Sequence, residues 1–333
     1  MAMRHGRIAS VLRYAVIGSG AVGCFYGIRL AHAGAPVQFL MRSGADDARR
    51  SGLDLASPEG DLHLACPTVA ADWTQLEPCD VLLVAVKATA NADVLEELRC
   101  HADRLLADDG VVLLVQNGIG AEAGYAAAIG GRQVLGGLAF LCAQRHGPRL
   151  VRHLDYGALT MAAFTVQERP AGTTSAMRAI AADLAAAATP ALFDDDLVRA
   201  RWRKLMWNVA FNPLSVILDA STSALMDDPD TVALVRRIMA EVSAAAAAEG
   251  HPLPPHLAEE LLAATARMAP YETSMKLDHD AGRPLEVEVL LAEPLRRGEA
   301  SGTAMPSIAV LHDQVAFLDR RAAAQRASAQ RDA

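Results

Sequence analysis

Three side chains in the stretch Arg201–Ser215, "RWRKLMWNVAFNPLS", are of types that can do chemistry: Lys204, Asn208 and Asn212, spaced four residues apart. That spacing puts them on one slowly drifting stripe of an α-helix. The rest of the helix is apolar, with Leu205, Met206, Trp207, Val209, Ala210 and Phe211. A lysine so placed can bring a positive charge and a transferable proton to a reacting oxygen. It can equally lay its methylene stem over apolar surface and do no chemistry. The carboxamides can orient a bound molecule, cap a helix or serve as buried structural amides. Asn212 precedes Pro213, which disfavours helical backbone and predicts a helix end there.

A second group is "GSGAVG", comprising Gly18, Ser19, Gly20, Ala21, Val22 and Gly23, which fits G-x-G-x-x-G. It follows the strand candidate Tyr14–Gly18 and opens a small-residue helix from Ala21 to about Ala33, with another strand at Pro36–Arg42. In that setting the first glycine permits a tight turn, the second lets backbone approach a pyrophosphate, and the third allows close helix–sheet contact. The competing reading is a helix packed on a sheet through small residues, without ligand. An NAD site wants a carboxylate at the end of the second strand, whereas this chain has Arg42 followed by Ser43. A guanidinium pairs well with a 2′-phosphate, so the expected cofactor is NADPH. Asp46 and Asp47 are close enough in sequence to occupy Arg42 instead.

These groups need a scaffold. Apolar runs at Asp80–Lys87, Gly110–Gly118 and Gln133–Cys142 alternate with helical stretches at Ala92–Leu106 and Ala121–Ala128. The alternation predicts an α/β Rossmann domain with a doubly wound parallel sheet. Leu53–Leu64, alternating around Pro-Glu-Gly, reads as a β-hairpin insertion. Ligands bind beyond the C-terminal strand ends of such sheets, which is where Lys87 and Asn117 fall; Asn-Gly is also an ordinary turn former. From about Asp194 the patterns become long and helical: Leu197–Asn212, Thr231–Glu249, His256–Met268, Glu286–Arg297 and Ser307–Arg326. The expected division is a nucleotide-binding domain over 13–194 and an all-α domain over 195–325. Residues 1 to about 12 read as a loose extension, and the tail after about Arg320 as a fraying end.

The chain has 333 residues, 52% of them hydrophobic, and a formal net charge of −8. That is enough for two cores, and the scattered Lys and Arg residues argue against a nucleic-acid partner. No apolar run approaches the ~18–20 residues of a membrane span. No signal-peptide pattern is present. The five cysteines stand alone without a CxxC pair, as expected of reduced thiols in a cytoplasmic protein. The histidines show no metal spacing, so no metal is expected. Helix-rich second domains often dimerise, which keeps a homodimer open.

The fragments "GSGAVG", "MRS", "VAVKAT", "QNGIG", "WRKLMWNVAFNPLS" and "TSMKLDHDAGRPLEVE" occur in that order across nearly the whole chain. Together they resemble the ketopantoate reductase (2-dehydropantoate 2-reductase) family. The resemblance implies NADPH-dependent reduction of a 2-oxo acid, most specifically ketopantoate to (R)-pantoate in pantothenate biosynthesis. It also implies Lys204 as general acid and Glu286 as a catalytic glutamate. Asn117, Asn208, Asn212 and Ser274 would contact substrate; Gly18–Gly23, Arg42, Lys87, Asn117 and Ala143 would contact cofactor. Read without the family, Ser274 could equally be a helix cap and Glu286 a first-turn glutamate favoured by the helix dipole. The family's E-[IL]-D-x-[IL]-N-G becomes Glu286-Val287-Glu288-Val289-Leu290-Leu291-Ala292 here, and Thr222 stands where some members have asparagine. Two alternatives follow: a paralogous reductase of another branched 2-oxo acid, or a non-catalytic NADPH-binding sensor.

Overall fold

The structure, a computed structural model, describes residues 11–268 and 272–331. The extension read over the first dozen residues therefore falls, up to residue 10, outside the described residues. The chain forms two compact units. One is the stretch ending at Gln116 together with Glu122–Leu197; the other is Asn117–Ala121 together with Val198 onward.

The first unit holds ten strands: β1 (Tyr14–Ile17), β2 (Val37–Leu40), β3 (Leu53–Ala56), β4 (Leu62–Leu64), β5 (Thr68–Ala70), β6 (Cys79–Val84), β7 (Leu106–Leu114), β8 (Gln133–His146), β9 (Leu150–Ala163) and β10 (Ala191–Phe193). They make one sheet in the order β4-β3-β9-β8-β7-β6-β1-β2-β5, with β10 beside β9. From β5 through β2, β1, β6 and β7 to β8 every pairing is parallel. Every residue of β1 and β2 is buried, as strands covered on both faces must be. The chain leaves β1 toward β2 on one side and returns to β6 on the other, so the topological switch point lies at the ends of β1 and β6. The helix Ala21–His32 crosses from β1 to β2 and buries Phe25, Tyr26 and Ile28 against the sheet.

The hairpin expected over Leu53–Leu64 is present, with Leu53 opposite Leu64. The sequence did not mark out β9, whose Arg152, His153, Asp155 and Gly157 interrupt its apolar residues. It pairs antiparallel with β8 over nearly its full length. That partner corrects one expectation. Ala143 does not follow β8 but lies inside it, opposite His153 and beside a register shift. The hairpin partner supplies ladder bonds that carry the strand on to His146.

The second unit is helical: Leu197–Ile217, Thr222–Asp227, Pro229–Ala248, Leu257–Arg267, Ser274–Asp280, a π-helical turn Glu288–Ala292 running into Glu293–Ala300, and Pro306–Arg331. Its core gathers Trp202, Val209 and Phe211 with Ile238, Val242 and Leu291. Asn212 is not at a helix end, because the helix continues past Pro213 to Ile217. Leu214 and Val216 are buried there, and keeping them in the core outweighs the one backbone bond that proline removes. The tail does not fray at Arg320. It stays helical to Arg331, with many alanines favouring helix and Arg326 bonding the Gly282 carbonyl at 2.6 Å. No helix among the described residues is long and apolar enough to cross a membrane.

Candidate functional site

In the first unit the glycine turn sits at the switch point. Gly18 has φ +97°, and a Cβ there would stand 2.5 Å from the Val86 nitrogen. A Cβ on Gly23 would stand 2.2 Å from the Gly18 carbonyl oxygen. A Cβ on Gly20 would meet nothing within 4 Å. Two glycines are thus forced by packing, and the third faces open space at the start of the helix Ala21–His32. That helix has no side-chain cap and no first-turn acid, so its N–H groups point at that space. The cradle suits a pyrophosphate. Ser19 Oγ donates to the Leu40 carbonyl at 2.9 Å, tying the turn to the end of β2. Arg145, which no motif singled out, donates to the Ser19 carbonyl at 2.6 Å from β8, two residues beyond Ala143.

Arg42 is exposed and lines an open hollow of about 420 Å³ whose charged lining also includes Asp46, Asp47, Arg49 and Arg50. Asp46 pairs with Arg49 at 3.0 Å and Asp47 with Arg50 at 2.5 Å. Neither acid is spent on Arg42. Lys87 is exposed beyond β6, directly before a short 3₁₀ turn, Ala88–Ala90.

In the second unit Lys204 is half-buried on the helix Leu197–Ile217. Desolvation chiefly, and then the Arg201 guanidinium, lower its pKa to about 7, while Glu286 acts in the opposite direction. Arg201 is itself buried, at 2% exposure. It carried no motif, although its position one turn before Lys204 is the signal that could have found it. Asn208 and Asn212 are also buried, and the Nδ2 of one and the Oδ1 of the other lack a hydrogen-bond partner. A buried donor and a buried acceptor left unmade on one helix stripe are costly unless something binds them.

Glu286 is buried but not in the first helical turn; it immediately precedes the helical backbone that begins at Val287. Its carbonyl accepts from the Leu290 amide at 3.2 Å, and Val287 takes the cap position of the π-turn. Gly118, at φ +89°, lies against Val289, where a Cβ would come within 2.4 Å. Half-buried Asn117 is therefore brought to the segment that carries Glu286. Ser274 is half-buried and is not the helix cap, which is Thr273, accepting from the Lys276 amide. Asn117, Lys204, Asn208, Asn212, Ser274 and Glu286 thus all belong to the helical unit. Among the described residues no group of three or more His, Cys, Asp or Glu could hold a metal ion.

A largely parallel sheet with this glycine cradle, followed in the chain by a helical unit with a half-buried, pKa-lowered lysine, defines a nicotinamide-dependent oxidoreductase. The family models for ketopantoate reductase PanE/ApbA and for its C-terminal domain match residues 14–165 and 196–319. The chain belongs to the ketopantoate reductase family. It is 38% identical over 309 residues to the 2-dehydropantoate 2-reductase of Nostoc sp., covering 93% of this chain and 96% of that one. A crystal structure of 2-dehydropantoate 2-reductase from Geobacter metallireducens superposes with a TM-score of 0.86 at 34% identity, covering 93% of this chain and all of that one. A D-mandelate dehydrogenase bound to NADH and anilino(oxo)acetate shares the fold at a TM-score of 0.82 and 21% identity, covering 93% and 99% of the two chains.

Proposed function

We propose that this protein reduces 2-dehydropantoate to (R)-pantoate with NADPH, and that Lys204 is the general acid. The observation that carries the reading is Lys204 itself, half-buried, with its pKa lowered to about 7 by desolvation and Arg201 against the opposing pull of Glu286, on one helix with two unmade amides. NADPH, when bound, would supply the hydride for reduction of the ketone. Protonated Lys204 stabilises the negative charge growing on the ketone oxygen and delivers the proton. Glu286 keeps the ammonium form populated against desolvation. Asn208, Asn212, Asn117 and Ser274 orient the 2-oxo acid. Gly18–Gly23 would hold the pyrophosphate and Arg42 the 2′-phosphate, with Lys87 and Ala143 as further cofactor contacts.

Leu291, which replaces the family's asparagine, is fully buried in the helical unit's core. Its bulk reaches no open surface, which favours ketopantoate over a reshaped substrate. The lost amide is what keeps a paralogous reductase of another branched 2-oxo acid as the second reading. A non-catalytic NADPH sensor has no use for a lysine tuned to about 7. The deciding experiment follows NADPH absorbance with a panel of 2-oxo acids. Ketopantoate turned over well above the rest supports the reading. Comparable or better turnover of another branched acid favours the paralogue, and NADPH binding without any turnover favours the sensor.

Lys204 donates only when protonated. The kcat/KM for reduction is therefore expected to be flat below about pH 7 and to fall about tenfold per unit above it. An initial-rate series from pH 5.5 to 9 checks this.

The turn gives a paired prediction. Gly18→Ala must adopt a left-handed backbone and push into Val86, a loss of about 1–3 kcal/mol visible as a lower Tm. Gly20→Ala has φ −79° and free space, so its Tm should match wild type. Its methyl group, however, enters the space assigned to pyrophosphate, and NADPH Kd should rise about tenfold. Unchanged NADPH binding by Gly20→Ala contradicts the cradle assignment.

A further inference from the structure

The helix that carries Lys204, Asn208 and Asn212 has a weak point beside Asn212. Pro213 has no N–H, so the Val209 carbonyl loses its helical donor. A side-chain bridge lies at this point. Ser215 Oγ donates to the Asn212 carbonyl at 2.8 Å and stands 2.6 Å from Thr273 Oγ1. Thr273 Oγ1 in turn accepts from the Lys276 amide at 3.3 Å. Each hydroxyl has a single proton. Since a carbonyl cannot donate, Ser215 gives its proton to Asn212, and Thr273 must give its own to Ser215. The bonds therefore run one way, from the Lys276 amide through both hydroxyls to the Asn212 carbonyl. Both hydroxyl residues are at 0% exposure, so water does not compete for these bonds. A second tie runs parallel to the first, with Lys276 Nζ 2.8 Å from Asp219 Oδ1 just beyond the helix end.

We propose that Ser215 and Thr273 are positioning residues for the 2-oxo acid: their bridge fixes Asn212 on one helix relative to Ser274 at the start of another. The proposal rests on the substrate reading given above for Asn212 and Ser274. Neither hydroxyl touches substrate in this arrangement; each is covalently next to, or bonded to the backbone of, a residue that does.

Three variants separate positioning from packing. Ser215→Ala breaks the bridge and leaves the Thr273 hydroxyl free to cap its helix. Thr273→Val removes bridge and cap, and Thr273→Ser keeps both. For the 2-oxo acid that wild type reduces, Ser215→Ala and Thr273→Val should raise KM about tenfold. The KM for NADPH should not change, and Thr273→Ser should match wild type. The double variant Ser215→Ala/Thr273→Val should have a KM no worse than Thr273→Val alone, since one bridge is lost only once. A fall in Tm with KM for the 2-oxo acid unchanged overturns the proposal alone. Wild-type protein that reduces no 2-oxo acid overturns the substrate reading and the proposal with it.

Discussion

Replacing Lys204 by alanine is expected to lower kcat/KM for ketopantoate by about 10²–10⁴-fold, the usual worth of a positioned general acid. The loss should fall mainly on kcat, because the ammonium acts on charge that develops only as hydride arrives. NADPH affinity should be retained, since the glycine cradle and Arg42 belong to the other unit. Lys204→Arg is expected to be nearly as poor. Its guanidinium keeps the positive charge but holds its proton far too tightly to donate it near neutrality. The pair of variants thus separates charge from proton transfer. Substantial activity in Lys204→Arg would assign the residue to electrostatics alone.

The second large effect is on cofactor choice. Arg42→Ala should reduce kcat/KM with NADPH by roughly ten- to a hundredfold, the equivalent of losing charge-assisted bonds worth about 1.5–3 kcal/mol. Activity with NADH should hardly change. The expectation draws on Arg42 being exposed while Asp46 and Asp47 are occupied by Arg49 and Arg50. Equal losses with both cofactors would contradict assignment of Arg42 to the 2′-phosphate. A D-mandelate dehydrogenase bound to NADH shares the fold, so the fold by itself does not decide between the two cofactors.

The nucleotide-binding unit was largely legible because its signals are local. A strand, a glycine turn and a small-residue helix are contiguous in Tyr14–His32, and the Leu53–Leu64 hairpin announces itself by alternation around a turn. The strand β9 was not legible, because it is stabilised by its long pairing with β8 rather than by an apolar run of its own. The position of Ala143 inside β8 follows from the same long-range pairing. Pro213 misled in the opposite sense: a local rule predicted a helix end, and burial of Leu214 and Val216 overrode it. In the helical unit the stripe of Lys204, Asn208 and Asn212 could be read from periodicity. Ser215 and Thr273 could not, because their importance lies in what they meet across sequence separations that periodicity does not report. Thr273 lies 58 residues from the Ser215 it bonds.

The most direct test is the pH dependence of kcat/KM for ketopantoate with NADPH, measured on wild type and Lys204→Ala together. Wild type should lose activity above about pH 7, and the residual activity of Lys204→Ala should show no such limb. If Lys204→Ala keeps the same limb near pH 7, another group donates the proton and Lys204 is not the acid.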